Sequence, residues 1–143
     1  MDAALVTAHC YCGKVVFTID AAVPPTVAGV CECDSCRRAH AAPLYHVVYT
    51  RGALNVQQGK DLIKDIRKEN SPVVRSFCAN CGSRLWNTLP DRPQMGHGVF
   101  PDTFAPQFQG SGLPRSFRPA VHYHAEESVR ETLGDLALLE RRP

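Results

Sequence analysis

Seven cysteines fall into three short clusters. The first is Cys10-Tyr11-Cys12-Gly13, a CxC. The second is Cys31-Glu32-Cys33-Asp34-Ser35-Cys36, a CxCxxC. The third is Cys78-Ala79-Asn80-Cys81-Gly82, a CxxC. An odd count leaves one thiol over if the others pair, and CxC spacing strains a direct bridge. Sulfurs this close can converge on a metal. Zinc takes four soft or borderline ligands in a tetrahedron. CxC plus CxxC supplies four thiolates, Cys10, Cys12, Cys78 and Cys81, a closed shell of the structural kind. Cys31, Cys33 and Cys36 supply three, which leaves a metal with an open position of the catalytic kind. The count therefore divides as four plus three and predicts two zinc ions per chain. Gly82 suits the tight turn after a CxxC. Disulfides, unliganded buried thiols and redox chemistry at Cys78 and Cys81 are the competing readings.

Several side chains beside the three-cysteine cluster can assist it. Arg37 and Arg38 follow Cys36 directly and can offset thiolate charge or grip a carboxylate bidentately. Their bland reading is a solvated surface pair. His40 lies four residues after Cys36, on the same face of a helical turn. It is a candidate proton carrier or fourth ligand. Asp34 is a candidate supporting residue or turn former. His46 alternates with apolar neighbours and reads as a core residue. His9, if extended, points away from Cys10. His122 and His124 form an HxH pair. Ser83 and Trp86 read as packing on the CxxC turn, with Trp86 also a candidate cleft residue.

Short β-branched and aromatic runs must position these groups. Strands are expected at 15–19, 45–50, 54–56, 62–66, 73–77, 85–87 and 121–124, with a short one at 98–100. Helix is expected only over 36–42 and in the tail over 128–140, where Ser128 and Glu131 have capping-box spacing. The 11 prolines and 10 glycines punctuate the chain, and six of those prolines lie between Pro90 and Pro119. An irregular stretch that long reads as functional or mobile. At 143 residues and a net charge of +2, residues 1–143 read as a single domain without the basic face of a nucleic-acid binder. The N-terminus lacks the pattern of a secretory leader, and no apolar run is long enough to span a bilayer. The expected location is a reducing cytosol, where clustered cysteines more often bind metal or do chemistry.

The runs HCYCGKVVF, CECDSCRRAHAAP and RSFCANCGSRLW, in this order, resemble the glutathione-dependent formaldehyde-activating enzymes and their centromere protein V relatives. The resemblance covers about His9 to Trp86, and more loosely reaches His122. It implies a mainly β, Mss4-like (β-tent) fold of stacked antiparallel sheets with zinc knuckles and little helix. It implies a structural zinc on Cys10, Cys12, Cys78 and Cys81, and a catalytic zinc on Cys31, Cys33 and Cys36. The implied activity is that of a carbon–sulfur lyase joining formaldehyde to glutathione as S-hydroxymethylglutathione. On that reading His40 assists catalysis and Arg37, Arg38 and Trp86 contact substrate. No nucleic acid or membrane partner is implied, and a homodimer is left open. A Gly-Thr-Leu-Asp-Asp-type stretch common in the family is here Gly98-Val99-Phe100-Pro101-Asp102, and the only tryptophan is Trp86. Two other readings stand beside this one: a non-catalytic zinc module that binds protein, and a lyase for another small thiol.

Overall fold

Alternation along each short apolar run turns it into a half-buried strand. Residues 5–143 are described by the computed structural model. The elements are β1 (Leu5–His9), β2 (Val16–Asp20), β3 (Val27–Cys31), α1 (Asp34–His40), β4 (Tyr45–Tyr49), β5 (Leu54–Gln58) and β6 (Ile63–Ile66). They continue with β7 (Val74–Cys78), β8 (Arg84–Thr88), β9 (Gly98–Val99) and β10 (Val121–Tyr123). In β1, Val6 and Ala8 point inward. In β2, Phe17 and Ile19 do so. The chain is mainly β, as expected of an Mss4-like fold.

The strands form two sheets. One has the order β1-β2-β5 and the other β10-β3-β4-β9-β8-β7-β6. All neighbours are antiparallel except β10, which lies parallel to β3. That pair corrects the expectation of purely antiparallel sheets. Gly29 permits it, because a Cβ there would stand 2.6 Å from the carbonyl oxygen of Val121. The main core gathers Phe17, Ile19, Val48, Leu85, Val99, Phe104 and Phe117. Burying each such side chain contributes about 1.5–3 kcal/mol. Phe17 meets Trp86 edge-on, with ring centroids 5.2 Å apart.

Two strands, β1 and β3, were not expected from the sequence. The strand anticipated at 62–66 starts at Ile63, because Lys60–Leu62 forms a 3-10 turn. The proline-rich stretch is regularly folded and lends Arg92 to a cavity wall. It is a series of 3-10 turns around β9, and three of them, at Pro93–Met95, Pro101–Thr103 and Pro106–Phe108, open on proline. It delivers Phe104 and Phe117 to the core. The tail expected as a helix instead forms 3-10 turns at Arg130–Leu133 and Leu136–Leu138. Gly134 at φ +65° separates them. Ser128 does not complete a capping box, because its hydroxyl donates to Glu32 at 2.8 Å. Among the described residues, no helix is long and apolar enough to cross a membrane.

Phe17→Ala leaves a void under Trp86. We expect it to cost about 3–5 kcal/mol of stability, read by urea denaturation followed through Trp86 fluorescence. A loss below about 1 kcal/mol would contradict this packing.

Candidate metal centres

Cys10 and Cys12 sit at the tip of the β1–β2 hairpin, and Cys78 and Cys81 at the tip of β7–β8. The two tips meet. Their four sulfurs offer ligand atoms all within 4.8 Å of one another. Cys10 and Cys12 are 3.5 Å apart, and Cys12 and Cys78 are 3.9 Å apart. A tetrahedral zinc with Zn–S bonds of ~2.3 Å requires sulfurs ~3.8 Å apart. The cluster fits that geometry, and all its thiols are free. The two turns are alike. Gly13 follows Cys12 at φ +78° and Gly82 follows Cys81 at φ +77°. An L side chain is strained in this region, whereas glycine is not. The N–H of Val15 donates to Cys10 Sγ at 3.3 Å.

Ser83 ties the two tips together. Its hydroxyl lies 2.9 Å from Cys81 Sγ and accepts from the N–H of Tyr11 at 2.9 Å. Burial pushes the Cys81 thiol up, but the bonds from Ser83 and nearby backbone outweigh it and hold the thiol down at about 6. Part of the charge of a thiolate is thus offset before any cation arrives.

The second cluster forms where β3 runs into α1. Cys31 ends β3, Cys33 caps the helix and Cys36 lies in its first turn. The N–H of Cys36 donates to Cys33 Sγ at 3.3 Å. Asp34 in the first turn and Arg37, Arg38 and His40 in the last suit the helix dipole. Ala41 closes the helix in the left-handed region at φ +50°. Helix therefore runs Asp34–His40 rather than 36–42. The three sulfurs also lie within 4.8 Å of one another, with Cys31 and Cys36 at 3.7 Å. The two cysteine groups can each hold a metal ion. The hydrogen bond from Cys31 pulls the Cys36 thiol down to about 5, and Tyr45, Cys33 and Arg75 reinforce this against burial. Cys31 moves up for the same reason.

This second cluster opens on a cavity of about 310 Å³. Tyr45, Val47 and Tyr49 line it from alternate positions of β4, and Arg75, Arg92, Tyr123 and His124 line it from elsewhere. A Cβ at Gly98 would stand 2.7 Å from Tyr49 Cε1, so glycine there leaves room for the ring. Arg75 is only 8% exposed. Its Nη2 donates to Ser35 Oγ at 3.4 Å and to Cys36 Sγ at 3.8 Å. Tyr45 Oη is 3.5 Å from Cys36 Sγ and accepts from Asn87 Nδ2 at 3.3 Å. Asn87 thus leaves the tyrosine proton free for a sulfur anion. Burial pushes both Tyr45 and Tyr49 up, Tyr49 to about 12, so both stay protonated.

Sequence reasoning missed Arg75, Tyr45, Asn87 and Glu32. The available signal for Arg75 was a charge inside the apolar run Val73-Val74-Arg75-Ser76-Phe77. Glu32 sits between two cysteines with its side chain fully buried. It binds the C-terminal segment through His122 Nε2, Ser128 Oγ at 2.8 Å and Arg130 Nε at 2.7 Å. Burial pushes its carboxyl up, but these partners outweigh that and hold it below the usual range.

Other expected site residues are placed elsewhere. Arg37 and Arg38 face away from the cysteine cavity and line a separate surface pocket. Helix geometry turns them to Asp34, at 3.6 Å and 3.0 Å. Asp34 is thereby an ion-pair partner rather than a support for sulfur. Trp86 is buried against Phe17 rather than exposed in the cleft, because β8 is a central strand. His40 does not join the three sulfurs within 4.8 Å. Its ring stacks on Tyr45 at 4.3 Å, and its Nε2 is buried without a partner. His122 and His124 part company: His122 faces Glu32, whereas His124 turns left-handed at φ +55° and meets Glu126 and Glu127. His46 donates from Nε2 to the Phe117 carbonyl at 2.8 Å, as a satisfied core residue.

A family model described as glutathione-dependent formaldehyde-activating enzyme matches residues 5–126. The chain belongs to this family of formaldehyde-activating enzymes. A crystal structure of a Rhodobacter sphaeroides protein shares the fold, with a TM-score of 0.58 and 19% identity. The match covers 82% of this chain and 98% of that one.

Burial, with Arg75 and Arg84 adding repulsion, pulls His40 from an ordinary value of 6.5 to about 4. The unfolded chain therefore binds the extra proton first, and His40 costs stability as pH falls from 6.5 toward 4. His40→Phe keeps the stack on Tyr45 and removes this term. The stability lost between about pH 7 and about pH 5 should be smaller in the variant, measured by urea denaturation. An equal loss would show that the His40 ring is solvated.

Proposed function

We propose that the chain is a zinc-dependent carbon–sulfur lyase that joins formaldehyde to glutathione as S-hydroxymethylglutathione. The observation that carries this reading is the three-cysteine cluster in the wall of a cavity that also holds a buried arginine. Cys31, Cys33 and Cys36 would hold the catalytic zinc, which supplies Lewis acidity for a thiolate or a carbonyl. Cys10, Cys12, Cys78 and Cys81 would hold the structural one. A module that only binds protein needs the four-sulfur cluster alone, so the cavity favours the enzyme.

The chain's own groups prepare the site. Arg75 and a Cys36 thiolate attract by about 4 kcal/mol at the effective dielectric of such sites. Taking either charge alone out of water costs several kcal/mol. The two are stable there as a pair, and the pair keeps Cys36 deprotonated. Tyr45 donates to Cys36 and holds its lone pairs in place. In the reaction the substrate sulfur forms a bond to the aldehyde carbon, and the carbonyl π pair moves to oxygen. The thiol proton ends on that oxygen, and nothing is oxidised. Tyr49 and Tyr123 line the same cavity and offer hydroxyls for hydrogen bonds to the oxygen. On this reading residues 1–143 act as one domain in a reducing cytosol.

Exchange NMR with glutathione and formaldehyde should show adduct formation well above the uncatalysed rate, and no acceleration rejects the named reaction. Metal analysis should return about two zinc per chain. Cys33→Ser should lose one and stay folded, whereas Cys78→Ser should fail to fold, since structural zinc supplies folding free energy. Equal folding of both variants would overturn the assigned roles.

A further inference from the structure

Arg75 lines two cavities at once. Beyond the cysteine cavity lies a groove of about 460 Å³, and the two share Ser35, Ser71, Val73 and Arg75. The groove's charged lining is Arg38, Arg67, Lys68, Arg75 and Arg84 against a single carboxylate, Asp34. Asp34 is already held by Arg38 at 3.0 Å. Arg75 is paired with Cys36, so three cations, Arg67, Lys68 and Arg84, face the groove without a counter-charge of their own. Arg67 and Arg84 each donate Nε to a carbonyl, of Ser71 at 2.9 Å and Ala39 at 3.2 Å. A neutral carbonyl orients a guanidinium but does not cancel its charge. Arg75 Nη1 is buried and has no partner. A buried donor left without a partner is destabilising, and more so when it carries charge. Burial and repulsion from Arg75 also weaken the hold of Arg84 on its proton. Like charges crowded this way are relieved by an oxyanion, and guanidinium matches carboxylate and phosphoryl groups bidentately.

We propose that this groove is the subsite for a doubly negative end of the thiol substrate, either two carboxylates or one phosphoryl group. The inference rests on the neighbouring cavity being the thiol site. Arg75 then stands where the charged end and the reacting sulfur of one molecule meet. A singly charged end would leave most of the groove's charge uncompensated, so a dianion is favoured.

The test uses the zinc-loaded, ¹⁵N-labelled protein. Inorganic phosphate, succinate and acetate are titrated at fixed ionic strength. Phosphate or succinate should give saturable shifts at residues 66–71 and at Arg84, and acetate should bind far more weakly. Tighter binding of phosphate identifies a phosphoryl end, and tighter binding of succinate identifies two carboxylates. The Arg67→Gln, Lys68→Gln double variant alters only exposed side chains, so its fold is preserved. It should weaken dianion binding about tenfold, equivalent to about 1.4 kcal/mol. The dianion should also raise KM for the thiol and leave kcat unchanged. The proposal is overturned by shifts that do not saturate, by binding that the double variant leaves intact, or by binding without competition. Dianion binding lost in the variant, in a protein inert toward glutathione and formaldehyde, would reject the named reaction and keep the groove as an anion site.

Discussion

Two hairpin tips, 66 residues apart in sequence, meet through the sulfurs of Cys12 and Cys78. Everything else in the fold depends on that meeting. Closing a loop of such length costs conformational entropy that short strands offset poorly. A point where four thiols converge offsets it when a cation binds there. With the tips joined, β2 lies against β8 and Phe17 reaches Trp86. The three-stranded sheet is then held on the larger one, and the core between them closes around Phe104 and Phe117.

The second constraint is the buried guanidinium of Arg75. A charge that is 8% exposed needs an anion. The three-cysteine cluster supplies one at Cys36. Tyr45, its ring stacked on His40 and its hydroxyl bonded by Asn87, meets the same sulfur through that hydroxyl. Glu32 does the equivalent work behind the cluster. Its carboxylate ties the segment from His122 to Arg130 to the Cys31–Cys33 corner. That latch brings Tyr123 and His124 to the cavity wall. The site is thus assembled from β3, α1, β4, β7 and β10, elements from most of the chain's length.

The chemistry-bearing cysteines were legible because metal-ligand spacing is a local property. CxC and CxxC set sulfur positions within one turn, and the four-plus-three grouping follows. The strands at β2, β4, β7 and β8 were legible from β-branched and aromatic runs. β1 and β3 were not, because Leu5–His9 and Val27–Cys31 contain small residues that carry weak propensity. Pairing with neighbours makes them strands. The tail misled for the opposite reason. Its capping pattern is genuine, but Glu32 competes for Ser128 and Gly134 stops propagation.

Sequence alone determined the ligand types, their grouping, the mainly β class and the family resemblance. Each is written in spacing and composition over a few residues. The tertiary structure alone decided which charges face the sulfurs. Arg37 and Arg38 are adjacent to Cys36 in sequence, yet helix geometry turns them to Asp34 and away from the cavity. Arg75 is 39 residues distant, yet sheet pairing carries it to the same cysteine. Nearness along a chain is set by bonds, whereas nearness at a site is set by register and twist, which depend on the whole fold.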